Sequence, residues 1–134
     1  MTETPIIDSN ILISFFTVDK NYENSKKVIY ENGGFYNEFI LCETLNYIQN
    51  KYSHFHSMDA YNLMVKGHNT FFFLPIALEL YSIASDIRNK YADNNYTMTD
   101  CLILAQAEQL GFKVYTADIR MQNYKAVEVI NPFT

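Results

Sequence analysis

The sequence predicts an α/β protein of three layers, with a central parallel sheet flanked by helices. Short apolar runs alternate with longer segments of helical periodicity. The segments between runs are long enough for crossover connections, which parallel neighbours require. The chain has 134 residues, 49% apolar and 19% charged, which suits one globular domain over residues 1–134. A chain of this size buries about two-thirds of its unfolded surface and needs no disulfide or metal staple to fold.

Thr4–Asp8 reads as a buried strand ending on an acid. Ser9 is placed to cap a helix through about Phe16, with Ile11, Leu12, Phe15 and Phe16 at helical spacing. Tyr22–Tyr30 is a second helix, closed by the breaker Asn32-Gly33-Gly34. A third, Phe39–Tyr52, carries Leu41, Leu45 and Ile48 on one stripe, and Ser57 is placed to cap a fourth, Met58–Lys66. Phe71–Ile76 is the next strand. The helix Ala77–Tyr91 then turns Leu80, Ile83, Ala84 and Ile87 inward. After a loop at Asp93-Asn94-Asn95, Thr97 or Thr99 starts a helix to Leu110, with Ile103, Leu104, Ala107 and Leu110 facing the core and Gly111 as its stop. Lys113–Thr116 and Val127–Ile130 complete the strands.

Composition narrows the function. Fifteen acids against 10 bases, a formal net charge of −5, argue against holding nucleic acid on a broad basic face, though not against cutting it. The N-terminal stretch MTETPIIDSNILISFF lacks a basic n-region and is broken by Asp8, Ser9 and Asn10, so it reads as neither signal peptide nor membrane span. Two cysteines, Cys42 and Cys101, make neither a disulfide framework nor a four-ligand zinc site, and a reducing cytoplasm is the expected compartment. Phosphate-cradling glycine motifs of the G-x-x-x-x-G-K-[ST] and G-x-G-x-x-G types are missing.

The acids at the ends of elements carry the chemistry. In an open parallel sheet, ligands bind beyond the carboxyl ends of the strands, where strand order reverses. Asp8 and Asp118 each follow an apolar run, so both are expected at that edge. Asp100 lies one turn before the core positions Ile103 and Leu104, which aims it along the buried face of its helix; Glu43 holds an analogous place among Phe39, Leu45 and Tyr47. Taken singly, each acid has an ordinary reading as a helix cap or turn residue. Together they do not, because two carboxylates about 4 Å apart repel by roughly 4 kcal/mol at an effective dielectric near 20. A cluster of three or four therefore calls for a cation, and all-oxygen ligation favours Mg²⁺ or Mn²⁺. Such an ion activates water and stabilises charge on a phosphate.

The blocks IIDSNILI, the Glu43 segment, TMTDCLILAQAEQLGFKVYTAD and AVEVINP resemble the PIN-domain ribonucleases, and among them the small VapC-type toxins of toxin–antitoxin pairs. The resemblance spans the whole chain. It implies a PIN-like fold and a metal site of Asp8, Glu43, Asp100 and Asp118, with Ser9, Asn10 and Thr116 orienting the acids or a bound water. It also implies an RNA substrate, often transfer or ribosomal RNA, inhibition by a cognate antitoxin, and dimerisation. One position departs from the pattern. Where family members commonly carry another acid followed by an aromatic, this chain has Arg120 and Met121. A base there repels a second Mg²⁺ and is placed to contact a substrate phosphate, so one firmly bound metal is expected.

Other signals are weaker. His54 and His56 diverge on a helix and read as loop or surface residues, and His68 as a turn residue. Cys42 and Cys101 read as small buried hydrophobes. The 11 Tyr and 10 Phe show no base-stacking pattern in their order, and Lys26-Lys27 and Lys51-Tyr52 suit either RNA contact or a solvated helix face. Two competing functions remain. One is a haloacid-dehalogenase-like phosphatase with Asp8 as nucleophile, for which the second acid is missing because position 10 is Asn. The other is a non-catalytic PIN-like domain that binds RNA or a partner, which Arg120 keeps open.

Overall fold

Five strands, all parallel, lie in the order β3-β2-β1-β4-β5 in a computed structural model that describes residues 4–67 and 69–133. They are β1 (Ile6–Ile7), β2 (Gly34–Tyr36), β3 (Phe71–Phe73), β4 (Val114–Tyr115) and β5 (Val129–Ile130). Six α-helices flank them: α1 (Ser9–Thr17), α2 (Tyr22–Asn32), α3 (Glu38–Lys51), α4 (His54–Tyr61), α5 (Leu78–Lys90) and α6 (Met98–Leu110). The expected three-layer α/β architecture is present.

β1 is central because both of its residues are apolar and fully buried, as suits a strand covered on both faces. Ile6 pairs with Phe35 on one side, and Ile6 and Ile7 with Val114 and Tyr115 on the other. The chain steps outward from β1 to β2 and β3, then returns across the sheet to β4 and β5. Strand order thus reverses between β1 and β4. Helices α1 to α4 pack on one another, and α5 packs on α6. Right-handed crossovers send these two groups to opposite faces, since the sheet is traversed in opposite directions before and after β3.

Several boundaries differ from expectation for identifiable reasons. The glycine breaker conceals a strand. Gly33 ends α2 with φ +68, but Gly34 opens β2, and a Cβ on Gly34 would lie 2.4 Å from Ile7 Cγ1. β3 stops at Phe73, ahead of Pro75, and as an edge strand leaves Phe72 and Phe73 exposed. Asp8 rather than Ser9 caps α1, accepting from the Ser9 N–H. Ser53 rather than Ser57 caps α4, which therefore starts at His54 and runs on through a wide turn at Asn62–Lys66. Ser57 instead donates to the Leu45 carbonyl and ties α4 to α3. His54 and His56 are exposed in the first turn of α4, as expected of surface residues, whereas position 68 lies outside the described residues.

Helix faces shift by a residue where neighbours decide them. On α3 the fully buried positions are Ile40, Thr44 and Ile48, with Leu41 and Leu45 only half-buried. α6 is buried all round from Asp100 to Ala107, while Leu110 is 50% exposed. A helix enclosed on every side has no single apolar stripe to read. Cys101 is buried as expected, but Cys42 is exposed, because it lies on the outer side of α3. The Asp93-Asn94-Asn95 loop is a single tight helical turn, Ala92–Asn94, ending with Asn95 at φ 57.

Candidate active site

The site forms where β1 and β4 lie side by side, at the reversal of strand order where open α/β sheets bind ligands. Asp8 follows β1 and is almost wholly buried. One of its oxygens accepts from the Ser9 N–H at 2.7 Å, and the other from the Thr116 hydroxyl at 2.7 Å. Thr116, fully buried just past β4, is the hub of the edge. Its Oγ1 also accepts from Asn10 Nδ2 at 3.1 Å and from the Asp118 N–H at 3.0 Å. Asn10 closes the ring by accepting from the Ala117 N–H at 3.1 Å. The polar trio Ser9, Asn10 and Thr116 therefore joins the ends of β1 and β4 and sets the direction of both acids.

Asp100 arrives from the other side. Thr97 caps α6 by accepting from the Asp100 N–H at 3.1 Å, and the Asp100 carboxylate accepts from the Thr97 N–H at 3.0 Å. This reciprocal capping box pins Asp100 at the helix start. Glu43 approaches from α3, whose start is held by Asn37. That buried amide accepts from the Ile40 N–H at 2.9 Å and donates to the Gln106 side chain at 3.1 Å. Gln106 in turn donates to the Leu74 carbonyl at 2.9 Å. Glu43 itself is exposed at the margin of the site, where Ser9 Oγ donates to it at 2.9 Å.

Arg120 settles the arrangement of the remaining acid. Its guanidinium forms a fork on Asp118, with Nη2 to Oδ2 at 2.7 Å and Nε to Oδ1 at 3.1 Å. The same Nη2 stands 3.5 Å from Asp100 Oδ2, and Nη1 donates to the Asn95 carbonyl at 2.8 Å. Arg120 thus bridges two of the site acids from within the chain. Asn37 and Gln106 escaped sequence reasoning, and so did Asn95. The one available signal for Asn95 was an Asn beside Asp93 and Asn94, a residue type that tolerates the left-handed turn it adopts.

The acids differ in their electrostatics. Burial, reinforced by the nearby charges of Asp100 and Glu43, pushes the Asp8 carboxyl up to about 6, against the lowering effect of its Thr116 and Ser9 hydrogen bonds. Burial also raises Asp100, with the Asp118 charge adding and Thr97 and Arg120 opposing. The Arg120 hydrogen bonds hold Asp118 below the usual carboxylate range. The donor set, all carboxylate oxygen and mutually repulsive, fits a hard divalent cation. As the side chains stand, no three carboxylate, histidine or cysteine groups among the described residues close around one point. The Arg120 guanidinium lies against Asp118 and Asp100, and would have to turn aside for those two to share an ion.

Sequence comparison matches the PIN domain family over residues 6–127, and the chain belongs to that family. No curated protein matches the sequence. Among solved structures, the fold is similar to that of VapC20 from Mycobacterium tuberculosis, described as a toxin that cleaves the sarcin–ricin loop. The TM-score is 0.82 at 14% identity, covering 96% of this chain and all of that one. A toxin–antitoxin complex from Klebsiella pneumoniae aligns with TM-score 0.73 and 16% identity over 97% of this chain and 98% of that one. FitAcB from Neisseria gonorrhoeae aligns with TM-score 0.72 and 18% identity over 98% of each chain. At these identities the likeness concerns the fold. No helix among the described residues is long and apolar enough to cross a membrane.

Proposed function

We propose that this PIN domain is a Mg²⁺- or Mn²⁺-dependent endoribonuclease and the toxin of a toxin–antitoxin pair. The observation that carries the reading is the placement of Asp8, Asp100 and Asp118 at the β1–β4 edge of a PIN domain, each held by named polar partners. Asp8, Asp100 and Asp118 would hold the cation, with Glu43 at the margin. A bound cation of this class supplies an activated water and neutralises charge on a phosphodiester.

The chain's own residues have separable parts in this. Thr116 and the Ser9 N–H hold both oxygens of Asp8, fixing the plane of its carboxylate. Thr97 fixes Asp100 by its N–H. Arg120 neutralises Asp118 and, on turning outward, presents a planar donor fork suited to a phosphate. Four acids in the site account for most of the negative excess, since the other 11 acids nearly balance 10 bases. The net charge therefore belongs to the site more than to a repulsive outer surface, in keeping with a polyanionic substrate.

Purified protein incubated with total RNA and Mg²⁺, beside EDTA-treated and Asp100→Asn samples, tests the reading. Cleavage is expected only in the first, and equal cleavage in all three would overturn it. The second reading, a non-catalytic RNA- or partner-binding domain, draws on the Arg120 bridge across Asp118 and Asp100. Metal-independent RNA binding without cleavage would favour it. The phosphatase reading fails on Asn10, whose side chain is committed to Thr116 and Ala117. A cognate antitoxin and a second copy of the chain are the proposed protein partners, and the cytoplasm the proposed compartment. The antitoxin is tested by the adjoining reading frame, which should encode a small DNA-binding protein that suppresses the cleavage.

A further inference from the structure

The outer face of α3 continues the acid site in a direction that the metal chemistry does not use. Glu43, Asn46, Tyr47, Asn50 and Lys51 recur at i, i+3, i+4, i+7 and i+8, so they form one stripe about 12 Å long. None of them serves the core, which takes Ile40, Thr44 and Ile48 instead. Between this stripe and Ile13 of α1 lies an open groove of about 560 Å³, in the size range of small-ligand sites. Its inner end is the Ser9–Glu43 hydrogen bond. A ligand that fills the groove therefore abuts Glu43, at the margin of the acid site.

The lining matches a nucleobase. Tyr47 is 42% exposed beside the half-buried Ile13, with the Lys51 ammonium standing over its ring. An exposed ring of this kind offers a face on which a base can stack. Asn46 and Asn50 present exposed amides, each with donor and acceptor groups able to pair with a base edge. Lys51 places its ammonium 5.8 Å from the Tyr47 ring centroid, a positive charge at the end of the stripe opposite Glu43. A nucleotide reaching a cluster of carboxylates gains from such a charge, which an uncharged apolar peptide would not use.

We propose that this groove is a nucleobase subsite, in which the base adjoining the cleaved phosphodiester stacks on Tyr47 and is read by Asn46 and Asn50. The proposal rests on the ribonuclease reading and specifies where the substrate's sequence is sensed. It is tested by fluorescence anisotropy of labelled single-stranded oligouridine and oligoadenosine on the full-length protein in EDTA, where no cleavage is expected, alone and with Tyr47→Ala, Tyr47→Phe or Asn50→Ala. Loss of one stacked base is worth about five- to a hundredfold in affinity, so Tyr47→Ala should weaken binding within that range while Tyr47→Phe retains it. Asn50→Ala should narrow the difference between the two oligomers. All of these positions are exposed, and matching melting temperatures identify variants that fold.

Binding of folded Tyr47→Ala within about twofold of its parent would overturn the subsite, as would a parent that binds neither oligomer. If RNA binding survives and association with the antitoxin or a second copy is lost, the groove is a protein-docking surface and the proposal fails. The ribonuclease reading is judged separately, by Mg²⁺-dependent cleavage in the wild-type chain. Cleavage with an indifferent Tyr47 rejects the subsite alone.

Discussion

Asp8 concentrates the physical tension of the site in one carboxyl. Burial and two neighbouring negative charges raise it from 3.8 to about 6, so the native state keeps a proton that the unfolded chain has already released between those values. The associated stability is fully present below pH 3.8 and is lost as pH rises through about 6. The gap corresponds to about 3 kcal/mol. Asp8→Asn should therefore be more stable than wild type above pH 6 in EDTA, with the difference vanishing near pH 4; thermal melts across this range measure it. Arg120 relieves the same tension at Asp118 and Asp100. Arg120→Gln frees both carboxylates, and Mg²⁺ affinity by calorimetry should rise several-fold. Unchanged or weaker binding would show that the guanidinium does not compete for those oxygens.

The elements of the fold exist to bring such groups together, and their junctions are where it is most sensitive. β2 contacts β1 through a glycine because Ile7 fills the space a side chain would need. Gly34→Ala forces that contact apart and should destabilise the protein by about 1–3 kcal/mol, read from the urea midpoint. The strand was illegible beforehand for the same reason. A three-residue strand that opens on the second of two glycines has turn chemistry and no alternation, and only the neighbouring strands define its role. The start of α4 shows a related effect, because Ser53 and Ser57 have equal capping chemistry and the Leu45 carbonyl decides which of them is spent on α3. α6 was legible at its end through Gly111 and at its start down to a choice between Thr97 and Thr99, which the capping box decides for Thr97, whereas its all-round burial reflects neighbours that its own sequence does not announce.

The whole molecule behaves as a scaffold that presents an acidic edge, so cation binding should register in global stability. A ligand that binds only the native state at 100 times its dissociation constant stabilises by about 2.7 kcal/mol. Saturating Mn²⁺ or Mg²⁺ should raise the melting temperature of the wild type and leave Asp100→Asn close to its metal-free value. This readout is independent of any RNA. An equal shift in both proteins would place the ion elsewhere. Local pattern alone determined the α/β class, the helix stop at Gly111, and the setting of Asp8, Asp100 and Asp118 at the ends of their elements, because each depends on residues a few positions apart. Tertiary structure decided β2, the marginal exposure of Glu43, the Arg120 bridge, the ring around Thr116 and the α3 groove. These join positions 34 apart at Ser9 and Glu43, 25 at Asn95 and Arg120, and 108 at Asp8 and Thr116. Contacts across such separations arise only when packed elements meet, and no periodicity within one segment encodes them.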